Sequence, residues 1–479
     1  MLNEKLDLYI NEDYYPFNMP GHKRNKKILN KKISYERDIT EIRDFDNLNN
    51  PKSLFKEMEE KLSKLYEADD FIISTNGSTC GILASLRSIS RKNKNILVQR
   101  NSHKSVFNAI EVFDLNPDYI KVKFDENDMA YDIDYEDLKE KIEKKSYSLI
   151  FLTSPSYEGY MIDLKRIKNI IKDKNIFLVL DMAHGSHTIL SAYKNNFYYD
   201  LAITSFHKNL SALTPASGII IKNKNLDSRD IRRNMAIFQT SSPSYLICAS
   251  IDDMIDKFPK FFKMWDNLLY NLKNLYKTNL KNLKFINSDM KDLSKIIISC
   301  KNTNINGKDL ADLLYGEKIE IEMASSSYVI LISSIFDTKK GFDRLKNALI
   351  KIDKKINYKK SDFSFEFIEC EKKFSIKESF LKKHSLINLE KSKGKVSASY
   401  IYAYPPGIPL LIPGEVINQK IINQIKYLDM IGFDLSLENF QIPVIDWQRS
   451  PLLILWTYRK KGDVYEKNYY FKYKKPSQK

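Results

Sequence analysis

Asp200-Leu201-Ala202-Ile203-Thr204-Ser205-Phe206-His207-Lys208-Asn209 places a short apolar run directly before a lysine. Leu201 to Ile203 has the length and apolarity of a buried strand, and strands apolar on both sides belong to parallel sheets covered by helices. Ligands in such domains bind beyond the carboxyl ends of the strands, and Lys208 falls there. Upstream, Phe177-Leu178-Val179-Leu180 runs in the same way into Asp181-Met182-Ala183-His184-Gly185. The reading is an α/β fold with an amine and a carboxylate at one sheet edge.

Working outward, further apolar strands are expected at Phe71-Ile72-Ile73, Ile96-Leu97-Val98, residues 119–122 and Leu149-Ile150-Phe151-Leu152, alternating with helix-like segments such as 82–89 and 135–145. Leu54, Phe55, Met58, Leu62 and Leu65 share one helical face, with Pro51 at the expected first helical position. Past Phe258 the chain becomes a lysine-rich helix followed by short strands at 294–299 and 328–333, which reads as a smaller α+β domain. A polar stretch over 371–395 leads into a third unit containing Tyr404-Pro405-Pro406-Gly407-Ile408-Pro409. The expected organisation is an amino-terminal arm (1–50), a large domain (51–257), a small domain (258–360) and a C-terminal α+β domain (361–479).

Composition narrows the class of protein. The chain has 479 residues, 43% of them hydrophobic and 29% charged, enough for several packed cores. Its apolar runs are strand length, and Glu4, Lys5, Asp7 and Glu12 interrupt the first residues, so neither a membrane span nor a signal peptide is expected. The default location is the cytoplasm. Cys80, Cys248, Cys300 and Cys370 are far apart and lack histidines at ligand spacing, so reduced thiols and no metal site are expected. The net charge of +16 comes from lysines dispersed through helices, without a basic motif interleaved with aromatics. Specific nucleic-acid binding is not expected.

Every chemically interesting group follows an expected strand. Ser74-Thr75-Asn76-Gly77-Ser78-Thr79 offers hydroxyls and a glycine at a strand-to-helix turn, where free N–H groups favour a phosphate. His103, in Asn101-Ser102-His103-Lys104-Ser105, brings an imidazole to the same edge, where it can stack on an aromatic cofactor. Singly, each group has an ordinary reading as a helix cap, a salt-bridge partner or a hydrogen-bonded structural residue. Jointly and in this order, phosphate turn, imidazole, aspartate and lysine point to pyridoxal 5'-phosphate. Its aldehyde needs an amine, and its pyridine nitrogen needs a carboxylate to stay protonated.

The chain resembles the ornithine/lysine/arginine decarboxylase family, pyridoxal-phosphate enzymes of the aspartate aminotransferase fold (fold type I). The similar stretches are Met19-Pro20-Gly21-His22-Lys23, Asp38-Ile39-Thr40-Glu41, Asn76-Gly77-Ser78-Thr79, Ser102-His103-Lys104-Ser105, Asp181-Met182-Ala183-His184-Gly185, Ser205-Phe206-His207-Lys208, Ser241-Ser242-Pro243-Ser244-Tyr245 and residues 404–415. The resemblance implies that Lys208 anchors the cofactor aldehyde, Asp181 pairs with the ring nitrogen and His103 stacks on the ring. It implies phosphate contacts from Ser78, Thr79, Ser205 and His207, with His184 also at the cofactor. Thr240 or Ser241 is implied to reach the phosphate of a neighbouring subunit in a homodimer or larger assembly. Glu415 corresponds to the acidic residue that meets the substrate's distal cation. The expected reaction is decarboxylation of arginine or lysine, less so ornithine, with an aminotransferase on the same cofactor as the alternative. Met19 to Lys23 lies near the first residue, so the compact form without an amino-terminal wing domain is expected. Met182 replaces a common glutamate, and Pro215 stands where the family is often polar.

Overall fold

The computed structural model describes residues 1–12, 20, 23, 34–127, 129–191, 197–360, 368–404, 408–430 and 434–446. Of Met19-Pro20-Gly21-His22-Lys23, only Pro20 and Lys23 are among them. Helix α1 (Leu2–Asn11) docks through Asn3, whose side chain donates to Ala249 O at 2.9 Å. Helix α2 (Leu54–Tyr66) starts three residues later than its proline signal. The Asp46 carboxylate explains the start: it accepts from the N–H groups of Lys52, Ser53 and Phe55, each at 3.0 Å, and supplies a cap from six to nine residues upstream.

Strands β1 (Asp70–Ser74), β2 (Asn95–Gln99) and β3 (Asn116–Ile120) alternate with α3 (Gly77–Ile89) and α4 (Lys104–Phe113). The β4–β5 hairpin (Val122–Phe124, Ala130–Ile133) leads to α5 (Tyr135–Lys144). Next come β6 (Leu149–Thr153), α6 (Leu164–Ile170), β7 (Phe177–Met182), β8 (Leu201–Ser205), the single turn α7 (Phe206–Asn209), β9 (Ser217–Ile221) and α8 (Ser228–Phe238). Seven strands form one sheet in the order β1-β9-β8-β7-β6-β2-β3. The pairs β3–β2, β2–β6, β6–β7 and β7–β8 are parallel, and β9 is antiparallel to both β8 and β1. The start of β9 therefore shares an edge with the carboxyl ends of the other six strands.

The strands are apolar on both sides because both sheet faces are covered. Ile72, Val98, Phe151, Val179, Ile203 and Ile219 pack beneath α3, α4 and α8. Phe71, Leu97, Ile150, Leu178 and Ala202 face the core shared by α2 and the long helix α9 (Tyr245–Tyr276). Each fully buried aliphatic or aromatic side chain contributes about 1.5–3 kcal/mol. Gly218 makes room for one of them, since a Cβ there would lie 2.3 Å from the Phe71 ring.

Helix α9 runs through residues 257 and 258 and carries the chain into a four-stranded antiparallel sheet, ordered β10-β11-β13-β12. Its strands are β10 (Lys284–Ile286), β11 (Lys295–Ser299), β12 (Met323–Ala324) and β13 (Tyr328–Ile332), flanked by α10 (Gly307–Gly316) and α11 (Lys339–Asp353). The C-terminal part contains α12 (Ile376–Leu381), β14 (His384–Asn388), β15 (Ile401–Tyr404), β16 (Ile408–Leu411), α13 (Gln419–Met430), β17 (Asp434–Leu435) and β18 (Gln441–Ile445). Their core gathers Leu389, Ile401, Leu411, Ile421, Ile425 and Val444. The architecture is α/β with a mostly parallel central sheet. No helix among the described residues is long and apolar enough to cross a membrane. All four cysteines are free thiols.

Candidate active site

Strand register collects the sequence-selected groups on one edge. Ser74 of β1 pairs with Ser217 of β9, which pairs with Ser205 of β8. Asp181 of β7 lies between Ile203 of β8 and Thr153 of β6. Lys208 follows β8 in α7, so the amine and the carboxylate leave adjacent strands. Asp181 is buried, and its Oδ1 accepts from Ala183 N at 3.0 Å. Burial lowers the Lys208 pKa, while the charges of Asp181 and Glu322 oppose the shift.

His103 caps α4: its Nδ1 accepts from Ser105 N at 3.2 Å and lies 2.8 Å from Ser105 Oγ. With Nδ1 accepting, the neutral ring carries its proton on Nε2. Burial holds the His103 pKa down, Asp181 pulls it up, and Lys208 adds to the depression. The imidazole is thus an electrostatic neighbour of both.

The turn after β1 fits a phosphate. Gly77 opens α3 at φ +76°, and Asn76 gives the helix no side-chain cap, leaving the first-turn N–H groups available to an anion. Ser78 is half-buried and Thr79 exposed in that first turn. Helix α3 starts five residues before the expected helical run, which puts both hydroxyls on the helix itself. Ser205 Oγ, across β9 from Ser74, is buried and has no protein partner. His207 Nδ1 donates to Ala216 O at 2.9 Å. Pro215 packs beside the turn, its Cβ 3.6 Å from where a Gly77 Cβ would sit. This set of hydroxyls and N–H donors, with a lysine and an aspartate alongside, fits pyridoxal phosphate. Thr240 and Ser241 are exposed just after α8, and among the described residues no hydrogen bond joins them to this group.

Three residues here escape any strand-end rule. Lys295 opens β11 of the small sheet, is fully buried, and places Nζ 3.1 Å from His184 Nδ1. His184 Nε2 is 3.0 Å from Lys208 Nζ. Burial brings the Lys295 pKa to about 8, with Asp292 opposing and Lys208 reinforcing the drop. Tyr157 meets His184 edge-on at 4.9 Å between ring centroids and donates through its hydroxyl to Glu322 Oε1 at 2.6 Å. Glu322 is exposed, and its charge acts on both Lys208 and Lys295. The sequence signal for Lys295 is slight: a lysine directly before Ile296-Ile297-Ile298, in a chain rich in lysine.

Glu415 lies in a different setting. It is buried against Arg100, whose Nη2 is 3.3 Å from Oε2 and 3.4 Å from Oε1, and Oε2 also accepts from Ile412 N at 2.8 Å. Arg100 donates further to Pro409 O at 2.7 Å. Burial raises the Glu415 pKa and Arg100 opposes the rise. The pair lines a cavity of about 850 Å³ with Tyr119, Lys121 and Cys370.

Residues 2–294 match the family model "Orn/Lys/Arg decarboxylase, major domain", and residues 365–435 match "Orn/Lys/Arg decarboxylase, C-terminal domain". An arginine decarboxylase of Halalkalibacterium halodurans is 26% identical over 87% of this chain and 90% of its own length. The uncharacterized protein YaaO of Bacillus subtilis is 29% identical over 89% and 94%. The lysine decarboxylase of Francisella novicida superposes with a TM-score of 0.79 at 19% identity, covering 93% of this chain and 81% of that one. That likeness carries the fold.

Proposed function

The chain belongs to the Orn/Lys/Arg decarboxylase family, whose cofactor is pyridoxal 5'-phosphate, and from that premise we propose that it removes the α-carboxylate of arginine or lysine, less readily ornithine, releasing carbon dioxide and agmatine, cadaverine or putrescine. The observation that carries the reading is a half-buried lysine and a buried aspartate leaving adjacent strands, with Ser205 and the open α3 terminus beside them. When bound, the cofactor supplies an electron sink for the pair left by the departing carboxylate.

The chain's own residues divide the remaining work. Lys208 would hold the cofactor and, once released from it and protonated to the ammonium, return a proton to the substrate α-carbon; its lowered pKa keeps the neutral amine accessible for rebinding the cofactor. Asp181 keeps a proton on the ring nitrogen. His103 would stack on the ring, and Ser78, Thr79, Ser205 and His207 would hold the phosphate, with Thr240 or Ser241 serving the phosphate of a second subunit in a homodimer. Orientation selects the bond that breaks: it must stand perpendicular to the ring. The distal cation needs an anion. Glu415 is the residue the family resemblance assigns, but Arg100 already neutralises it within this chain. Glu322, exposed and acting electrostatically on Lys208, is the better-supported partner.

Purified protein with cofactor, supplied separately with arginine, lysine and ornithine, tests the reading by product identity. One amine formed in step with carbon dioxide is expected. A keto acid without carbon dioxide would transfer the assignment to an aminotransferase, and no amine from any of the three would end the substrate proposal.

A further inference from the structure

The buried imidazole of His184 sits between two amines, the half-buried Lys208 with Nζ at 3.0 Å from Nε2 and the buried Lys295 with Nζ at 3.1 Å from Nδ1. Neutral imidazole has one N–H donor and one lone pair, whereas an ammonium group only donates. Burial, reinforced by Lys295 and Lys208, holds the His184 pKa well below its ordinary value, so the ring is neutral. Both contacts are then hydrogen bonds only when the lysine facing the ring N–H is a neutral amine, while the lysine facing the lone pair donates and can do so as the ammonium. We propose that Lys208 and Lys295 share a single proton through His184, so that Lys295 stores the proton whenever Lys208 is the free nucleophile.

The transfer balances without any further reactant. A proton passes from Lys295 Nζ to His184 Nδ1 while the proton on Nε2 passes to Lys208 Nζ. Lys295 ends neutral, Lys208 ends as the ammonium, and the imidazole has exchanged tautomers. Reversal restores the nucleophile. Lys295 is a positioning residue in this scheme, since it acts on Lys208 only through the ring.

The surroundings are built for this arrangement. Gly159, at φ +95°, leaves space for the lysine stem: a Cβ there would lie 2.7 Å from Lys295 Cγ. Lys291 Nζ donates to the Lys295 carbonyl, fixing the start of β11. The carboxylates of Asp292, Glu158 and Glu322 favour the ammonium on Lys295. On the other side, Asp181 and Glu322 favour it on Lys208, and His103 and His187 add charge repulsion at His184. Negative charge thus supports the proton at either end, while the ring between them does not retain it.

The inference rests on Lys208 being the amine that meets the cofactor, but not on which amino acid is decarboxylated. It is therefore tested on the full-length cofactor-free protein, where substrate choice has no influence. Cyanate carbamylates unprotonated amines, and peptide mass spectrometry across a pH series gives the titration midpoint of Lys208. Wild-type Lys208 is expected to titrate below the exposed lysines of the same chain. Lys295→Met removes the alternative proton site and should raise the Lys208 midpoint by about one pH unit, a roughly tenfold slower modification below it. An unchanged midpoint in a variant with wild-type circular dichroism overturns the proposal. If that variant does not fold, 15N spectra of histidine-labelled wild-type protein, assigned with His184→Gln, decide the matter. A neutral His184 ring at about pH 7 is expected, and an imidazolium there overturns the shared proton.

Discussion

Two ionic clusters, one buried and one partly buried, lie at the carboxyl side of the large sheet, and they are completed in opposite ways. Arg100 and Glu415 form a closed pair in which the arginine cannot lose its proton and the carboxylate receives both a guanidinium and the Ile412 N–H. Lys208, His184 and Lys295 form an open chain in which every member can change protonation. A closed pair fixes the C-terminal part against β2, whereas an open chain can move a proton. The difference separates a structural use of buried charge from a chemical one.

The largest effect expected from breaking the open cluster is on turnover. Lys208→Ala should lower carbon dioxide release by more than about 10³-fold and abolish the visible absorbance of the bound cofactor. Retention of both would remove Lys208 from the site. The closed cluster should respond in stability instead. Arg100→Met leaves the Glu415 charge buried without its guanidinium and should cost about 3–5 kcal/mol in urea unfolding, while the double variant with Glu415→Leu should recover much of the loss. A cost below about 1 kcal/mol for Arg100→Met would mean that the pair is not closed.

The contrast between the two clusters was only half legible in the sequence. Lys208, Asp181 and His103 could be found because strand ends in a parallel sheet share an edge, a rule that needs no knowledge of partners. Ser78 and Thr79 followed from the strand-to-helix turn after β1, whereas Ser205 came only from the family resemblance and is set on the same edge by the register that joins β1, β9 and β8. Lys295 could not, because its importance lies in burial and in a contact with His184 made 111 residues away. Arg100 was hidden similarly, since its carboxylate partner is 315 residues further on. The Asp46 cap misled the assignment of the α2 start because a carboxylate six to nine residues upstream does not stand at the usual cap spacing. Tyr404-Pro405-Pro406-Gly407 lies largely outside the described residues, whereas Glu415 lies within them.

Substrate recognition sharpens the comparison at intermediate size. If Glu322, rather than the closed Glu415, meets the distal cation, Glu322→Gln should raise KM for the preferred amino acid by an amount equivalent to about 1.5–3 kcal/mol, the range for a charge-assisted hydrogen bond. The same variant should leave unfolding stability within about 0.5 kcal/mol, because the residue is exposed. A KM unchanged by Glu322→Gln but raised by Glu415→Gln would return the role to the closed pair.

The smallest effect is the pH dependence of folding, and here the two clusters differ in sign. The folded His184 pKa is depressed well below 6.5, so below pH 6.5 the unfolded chain binds a proton that the folded protein does not. Stability conferred by the neutral ring is present above pH 6.5 and lost as pH falls, by up to about 1.4 kcal/mol per pH unit. Glu415 is raised above 4.5 in the folded state, so its contribution grows as pH falls through that raised value and is fully present below 4.5. Urea midpoints measured between about pH 7.5 and 5.5 should therefore fall more steeply in wild type than in His184→Gln, whose amide has no charge to gain. Equal slopes in the two proteins would mean that His184 gains its proton as readily in the fold as out of it. The open cluster would then lack the neutral ring on which its difference from the closed one depends.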